Sequence, residues 1–157
     1  MADEVARKLY HWEDAFVATK QRPGDMLLTS EQCRLLVEQA CNVTGTRLPT
    51  VRFRNAAHVP CKANFRTWEI ILAEWGRAAL PVLHEVGHLA TFDDVMAGEN
   101  PHGPSFARMV IELYATFMGV DMEYMLRTAA RCGVVVGPHR GRIGLPSNES
   151  PFGDEIF

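Results

Sequence analysis

Apolar residues recur at helical spacing over residues 3 to about 20, where Val5, Leu9, Trp12 and Phe16 fall on one stripe. Arg22-Pro23-Gly24-Asp25 interrupts the stripe and predicts a turn. A second helix is predicted from Thr29 or Ser30, either of which can cap it, to about Val43. Glu31 and Gln32 sit in its first turn, Leu36, Val37, Ala40 and Cys41 on its inner side, and Gly45 just past its end. The period then changes. Thr50-Val51-Arg52-Phe53-Arg54 alternates as a half-buried strand does. His58 to Asn64 reads as a turn or short hairpin segment around Pro60. Thr67 to Leu72 (TWEIIL) is rich in β-branched and aromatic residues and predicts a strand at the edge of a cleft.

Helical spacing returns near Leu80, since Pro81 is tolerated in a first turn. Val82, Leu83, Val86, Leu89 and Ala90 carry this helix to about Phe92-Asp93. Gly98 to Gly103 is polar and turn-rich. Pro104-Ser105 opens a helix with Phe106, Val110, Leu113 and Phe117 on one stripe, ended by Gly119. Asp121 to Arg131 makes a last short helix, closed by Gly133. The expected class is α+β in one domain over residues 1–133, with N-terminal helices, a small sheet of about three strands and supporting C-terminal helices. Residues 134–157 are rich in Gly and Pro and predict an extended or partly mobile tail.

Composition narrows the functional classes. A net charge of -3 lacks the basic excess of a domain built to grip nucleic acid. No apolar run is long enough to span a bilayer, so no membrane role is expected. Asp3 and Glu4 stand where a secretory signal needs apolar length, which predicts a soluble, cytoplasmic protein. Cys33, Cys41, Cys61 and Cys132 form no CxxC pair and read as reduced thiols.

The candidate chemistry lies in Leu83-His84-Glu85-Val86-Gly87-His88. Two histidines four apart lie one turn apart on one helix face and can point at one ion. Zinc accepts neutral imidazole nitrogen in tetrahedral geometry. Glu85 lies about 100° around the helix from His84, too far round to be an easy ligand. That position suits a general base that takes a proton from a water held at the ion. Gly87 costs helix stability, which suggests a close approach by a neighbouring strand or helix.

A catalytic zinc takes three protein ligands and one open position. Thirteen residues separate His88 from His102, whose loop can return to the metal, and His102 is the preferred third ligand. Glu112, on the following helix, is a rival. So is Asp94, although Thr91 stands where its spacing pattern needs a helix-breaking glycine. His58 with Cys61, and His139 in the tail, are weaker candidates for the cleft. Tyr114 and Tyr124 are candidate oxyanion stabilisers, each weighed against an ordinary packing role. Arg131, Arg140 and Arg142 make a modest basic cluster.

HEVGH followed by His102-Gly103-Pro104-Ser105-Phe106 resembles the SprT-like zinc metalloproteases, which include Spartan, and small metallohydrolases of that type from actinobacteria and their phages. The likeness covers roughly residues 67 to 120, with its specific signal at 84–88 and 102–106. It implies a minimal zincin-like fold, with His84, His88 and His102 as zinc ligands and Glu85 as catalytic acid/base. Phe106 would then anchor the helix after the third ligand. The implied activity is hydrolysis of peptide bonds in a protein or peptide substrate. The likeness also implies a link to nucleic acid, but the chain has no cysteine ribbon and no long basic extension to support one. A zinc-stabilised protein-binding module without turnover is the alternative, against which the intact Glu85 argues.

Overall fold

A computed structural model of the chain describes residues 3–56, 59–141 and 143. Among these residues the protein is α+β, with six α-helices and one three-stranded sheet. Helix α1 (Glu4–Trp12) starts at Asp3, whose side chain accepts the Val5 N–H. It does not run on as a plain α-helix. One π-helical turn, Glu13–Val17, and a 3₁₀ turn, Ala18–Lys20, complete the segment. The wide turn inserts an extra residue, so Leu9, Trp12, Glu13 and Val17 are buried while Phe16 is only partly covered. Helix α2 (Ser30–Thr44) is closed at its start by a reciprocal Thr29–Gln32 box and at its end by Gly45 at φ 67°.

The sheet runs β1-β3-β2, from β1 (Thr50–Arg54), β2 (Lys62–Asn64) and β3 (Glu69–Ala73). β1 lies parallel to β3, and β2 antiparallel to it with Ala63 opposite Ile70. Two expectations for TWEIIL are corrected. Thr67 and Trp68 belong to the β2–β3 turn, where Trp68 adopts φ 54° and Asn64 accepts the N–H groups of Arg66 and Thr67. β3 is also the central strand, not the edge. Ile70, Ile71, Leu72 and Ala73 are all buried, the continuous run of a strand covered on both faces. The edges are β1 and β2.

Helix α3 (Ala79–Ala90) packs between α2 and α5 (Pro104–Met118) and against β2 and β3. Gly87 permits the α3–α5 approach: a Cβ there would lie 2.6 Å from Val110 Cγ1 and 3.2 Å from Phe106 Cε1. α3 ends earlier than its sequence pattern suggests. Thr91 turns its hydroxyl onto the Gly87 carbonyl, 2.9 Å away, and the chain restarts as short α4 (Phe92–Met96). Helix α6 (Met122–Arg131), capped by Asp121, packs on α5 and α1.

Residues 134–141 contain no helix or strand and lie along α5. Gly137 donates to the Pro104 carbonyl at 3.0 Å, and Arg108 Nε donates to the Gly137 carbonyl at 2.6 Å. Val134 and Ile143 join the hydrophobic core. The rest of the expected tail, residues 142 and 144–157, lies outside the described residues. No helix among the described residues is long and apolar enough to cross a membrane.

Candidate metal centre

The α-helical turn between His84 and His88 brings their rings to 4.9 Å, centre to centre. His102 enters from the loop before α5, its ring 5.5 Å from His84 and 4.7 Å from His88. One nitrogen from each ring lies within 4.8 Å of the other two, so the three histidines can hold a metal ion. Phe106, in the first turn of α5, is the floor beneath them. Its ring stacks on His88 at 4.3 Å and meets His84 and His102 edge-on.

The His102 loop is fixed by local hydrogen bonds. Asn100 accepts the His102 N–H at 2.8 Å and donates its amide to Asp3, which ties the loop to the start of α1. Gly103 closes the turn, where a Cβ would stand 2.9 Å from the Asn100 carbonyl. Glu99 accepts the Ser105 N–H and hydroxyl at the start of α5, an acid at the positive end of a helix.

Helix α1 and the π turn that follows it supply two residues that the sequence pattern did not single out. Glu13, 2% exposed, accepts from His84 Nδ1 at 2.8 and 3.0 Å, and the buried Tyr114 hydroxyl donates to the same carboxyl. That contact leaves His84 Nε2 as the nitrogen facing the other histidines. Tyr10, one turn before Glu13, stacks over His84 at 5.4 Å with 16° between planes, and its hydroxyl lies 3.2 Å from His102 Nε2. A signal for Glu13 was present: it lies four residues after Leu9 on the apolar stripe, where a solvated acid does not belong.

Electrostatics prepare the cluster for a cation. Burial and then the neighbouring histidines hold His88 well below the ordinary imidazole value. Burial and His84 bring His102 down to about 4. Both rings are neutral at pH 7, with a lone pair available. Burial also works against the charged form of His84, but the charge and hydrogen bond of Glu13 outweigh it and raise this ring. Glu85 is pushed up to about 7, chiefly by burial, with Glu13 adding to the rise; His84 and a hydrogen bond from the Ala63 backbone oppose it. That bond places edge strand β2 against Glu85.

Beside the triad opens a cleft of about 430 Å³. It is lined by Tyr10 of α1, Asp14 of the π turn, Pro60 and Cys61 before β2, Trp75, and Leu80 and Pro81 of α3. His84 and Glu85 also line it. The arrangement joins a three-imidazole cation site, a buried carboxyl of raised pKa and a largely apolar cavity.

The rival groups have other partners. Glu112 bonds His139, so this tail histidine lies against α5 and outside the triad. Asp94 accepts from Arg140 at 2.7 and 2.8 Å. Cys61 lines the cleft, and its sulfur accepts the Ala73 N–H at 3.3 Å. His58 and Arg142 lie outside the described residues, and Arg131 packs on the Phe16 ring. Tyr124 donates to the Phe16 carbonyl at 2.8 Å, and neither Tyr124 nor Tyr114 lines the cleft. All four cysteines are free thiols. No family model, curated protein or solved structure matches the chain.

Proposed function

We propose that the protein is a zinc-dependent hydrolase of the SprT-like, zincin-like kind that cleaves peptide bonds, with His84, His88 and His102 as zinc ligands. The observation that carries this reading is the convergence of the three histidines beside a buried Glu85 that lines a cleft. Three imidazoles without a fourth His, Cys, Asp or Glu in the cluster, among the described residues, would suit a catalytic zinc better than a closed structural one. Zinc supplies Lewis acidity, which activates water near neutral pH and polarises a carbonyl.

The chain's own residues do the rest. The cleft admits the substrate and excludes bulk water on its apolar side. Glu85 accepts the proton of the attacking water and returns it to the departing amine, a task suited to a carboxyl whose pKa lies near 7. Glu13 holds His84 in one tautomer. An extended substrate pairs with β2, the edge strand nearest Glu85, by strand addition. A protein or peptide is the partner rather than nucleic acid, given the net charge of -3. The four free thiols suit a cytoplasmic setting.

The test compares wild type with Glu85→Gln for bound metal and for turnover of unfolded protein and of protein–DNA conjugates. About one zinc per chain is expected in both, with turnover in wild type only. Stoichiometric zinc without turnover on any substrate would instead favour a zinc-stabilised protein-binding module. Absence of zinc from wild type and His84→Ala alike would overturn the reading.

A further inference from the structure

Hydrolysis of an amide builds negative charge on the carbonyl oxygen, and a fixed donor aimed at that oxygen lowers the barrier. The chain has three tyrosines. Two already have acceptors in the fold: Tyr114 donates to Glu13 and Tyr124 to the Phe16 carbonyl. The third, Tyr10, stands on the cleft wall with its hydroxyl 3.2 Å from His102 Nε2 and its ring stacked on His84. It is 46% exposed, so the hydroxyl is held at the triad and still reachable from the cavity.

The other polar groups around the cavity cannot take this role. Glu13, Asp14 and Glu85 are carboxyls, which accept when ionised. The Trp75 N–H is engaged by the Val59 carbonyl at 3.2 Å. The Cys61 sulfur is a weak donor and is turned to the Ala73 N–H.

A neutral imidazole has one nitrogen lone pair, so His102 Nε2 can serve either the phenol or a cation, but not both. When Nε2 turns to the cation, the Tyr10 hydroxyl is released beside it. In the other tautomer Nε2–H donates to the phenol oxygen, and the phenol's own hydrogen is free. Either way an O–H without an acceptor is left beside the triad, on a residue that lines the cleft. The backbone that carries it is well fixed. Trp12 donates to Thr128 at 3.0 Å, Glu13 bonds His84, and Asp3 accepts from Asn100.

We propose that Tyr10 is a catalytic residue whose O–H donates a hydrogen bond to the scissile carbonyl oxygen as that oxygen becomes negative. No proton changes owner in this step; Glu85 alone carries the proton from water to the leaving amine. The assignment rests on the hydrolase reading, so its test includes a measurement that needs no turnover.

Tyr10→Phe keeps the ring against His84 and removes only the hydroxyl. Zinc affinity, measured by chelator competition, is expected to stay within about twofold of wild type, since no ligand is lost. Peptidase kcat is expected to fall about 100-fold with KM little changed. Acetohydroxamate, which presents an anionic oxygen to the zinc-loaded protein, is expected to bind about tenfold more weakly, the worth of one lost hydrogen bond. Equal kcat and equal acetohydroxamate affinity in the two proteins would overturn the assignment. So would a tenfold or greater loss of zinc affinity, which would make the phenol a ligand instead of a donor. A wild type without turnover, but with the acetohydroxamate difference intact, would remove the hydrolase reading and leave the donor role standing.

Discussion

Glu13 reaches the three histidines through His84, whose ring it hydrogen-bonds. Its carboxyl is buried and satisfies two buried donors at once, His84 Nδ1 and the Tyr114 hydroxyl. Truncation to alanine leaves both without a partner, each at a cost of about 1–3 kcal/mol. It also frees the His84 ring to rotate or change tautomer. Glu13→Ala is therefore expected to weaken zinc binding about 10- to 100-fold in a chelator competition, as other removals of a ligand's hydrogen-bond partner do. An unchanged zinc affinity would show that His84 is oriented by its helix alone.

Glu85 gives a pH prediction of definite sign. Its folded value of about 7 lies above the ordinary 4.5, so between these values the native state holds more proton than the unfolded chain. Its contribution to the stability of the metal-free protein is full below 4.5 and is lost as pH rises through 7. His102, at about 4, acts in the opposite direction and is common to both proteins compared. Glu85→Gln removes the first effect, together with the smallest of the contributions that raise His84. The stability of this variant relative to wild type should rise between pH 5 and pH 8, by up to about 3 kcal/mol. Urea unfolding at the two values measures it, and parallel pH profiles would contradict a raised Glu85. At this scale the sequence was legible where contacts are local. His84, Glu85 and His88 follow from helical spacing, and His102 from a short return loop. Tyr10 and Glu13 reach the site across 92 and 71 residues, distances over which no period operates.

The elements show the same division. Helices α2, α5 and α6 start and stop where caps and glycines predict, because capping is chemistry between near neighbours. The strand content of Glu69–Ala73 was also legible, but its place in the sheet was not. Which strand lies in the middle depends on partners elsewhere in the chain, and TWEIIL alone does not encode them. The close α3–α5 contact gives a test at this scale. Gly87→Ala gains helix propensity of about 1 kcal/mol. The new methyl, however, would lie 2.6 Å from Val110 and 3.2 Å from the Phe106 ring that supports His88. Overpacking of about 1–3 kcal/mol should dominate, so the variant is expected to unfold at lower urea and to bind zinc less tightly. Equal or higher stability would mean that α5 yields easily and that the Phe106 floor is not rigid.

For the whole molecule, the centre joins segments that are far apart in the chain: α1, α3 and the loop before α5. An ion bound by the folded chain and not by the unfolded one stabilises the fold by mass action. Zinc at 100 times its dissociation constant should add about 2.7 kcal/mol, read as a rise in Tm that chelation reverses. His102→Ala should abolish the rise. A rise that persists without His102 would assign the stabilising site to other residues. The α+β class was readable from the order of periods along the chain. The closing of α1 over the triad was not, since the same apolar stripe would serve a helix packed anywhere on the core.

The π turn at Glu13–Val17 sets a phase relation along the first helix. The N-terminal half must be in phase with the metal centre, through Tyr10 and Glu13, and the C-terminal half in phase with the core, through Val17. The wide turn shifts everything after it by about one residue relative to a continuous α-helix, so that Val17 rather than Phe16 is buried. Deleting the exposed Ala15 would remove the extra residue and restore uniform winding. The portion before it would turn by about 100° and shift by about 1.5 Å relative to the portion after it. Tyr10 would turn away from the triad, and Leu9 and Trp12 from the core. The first helix thus works as an indexing gear between core and centre, and one tooth too few would misalign the side chains that face the three histidines.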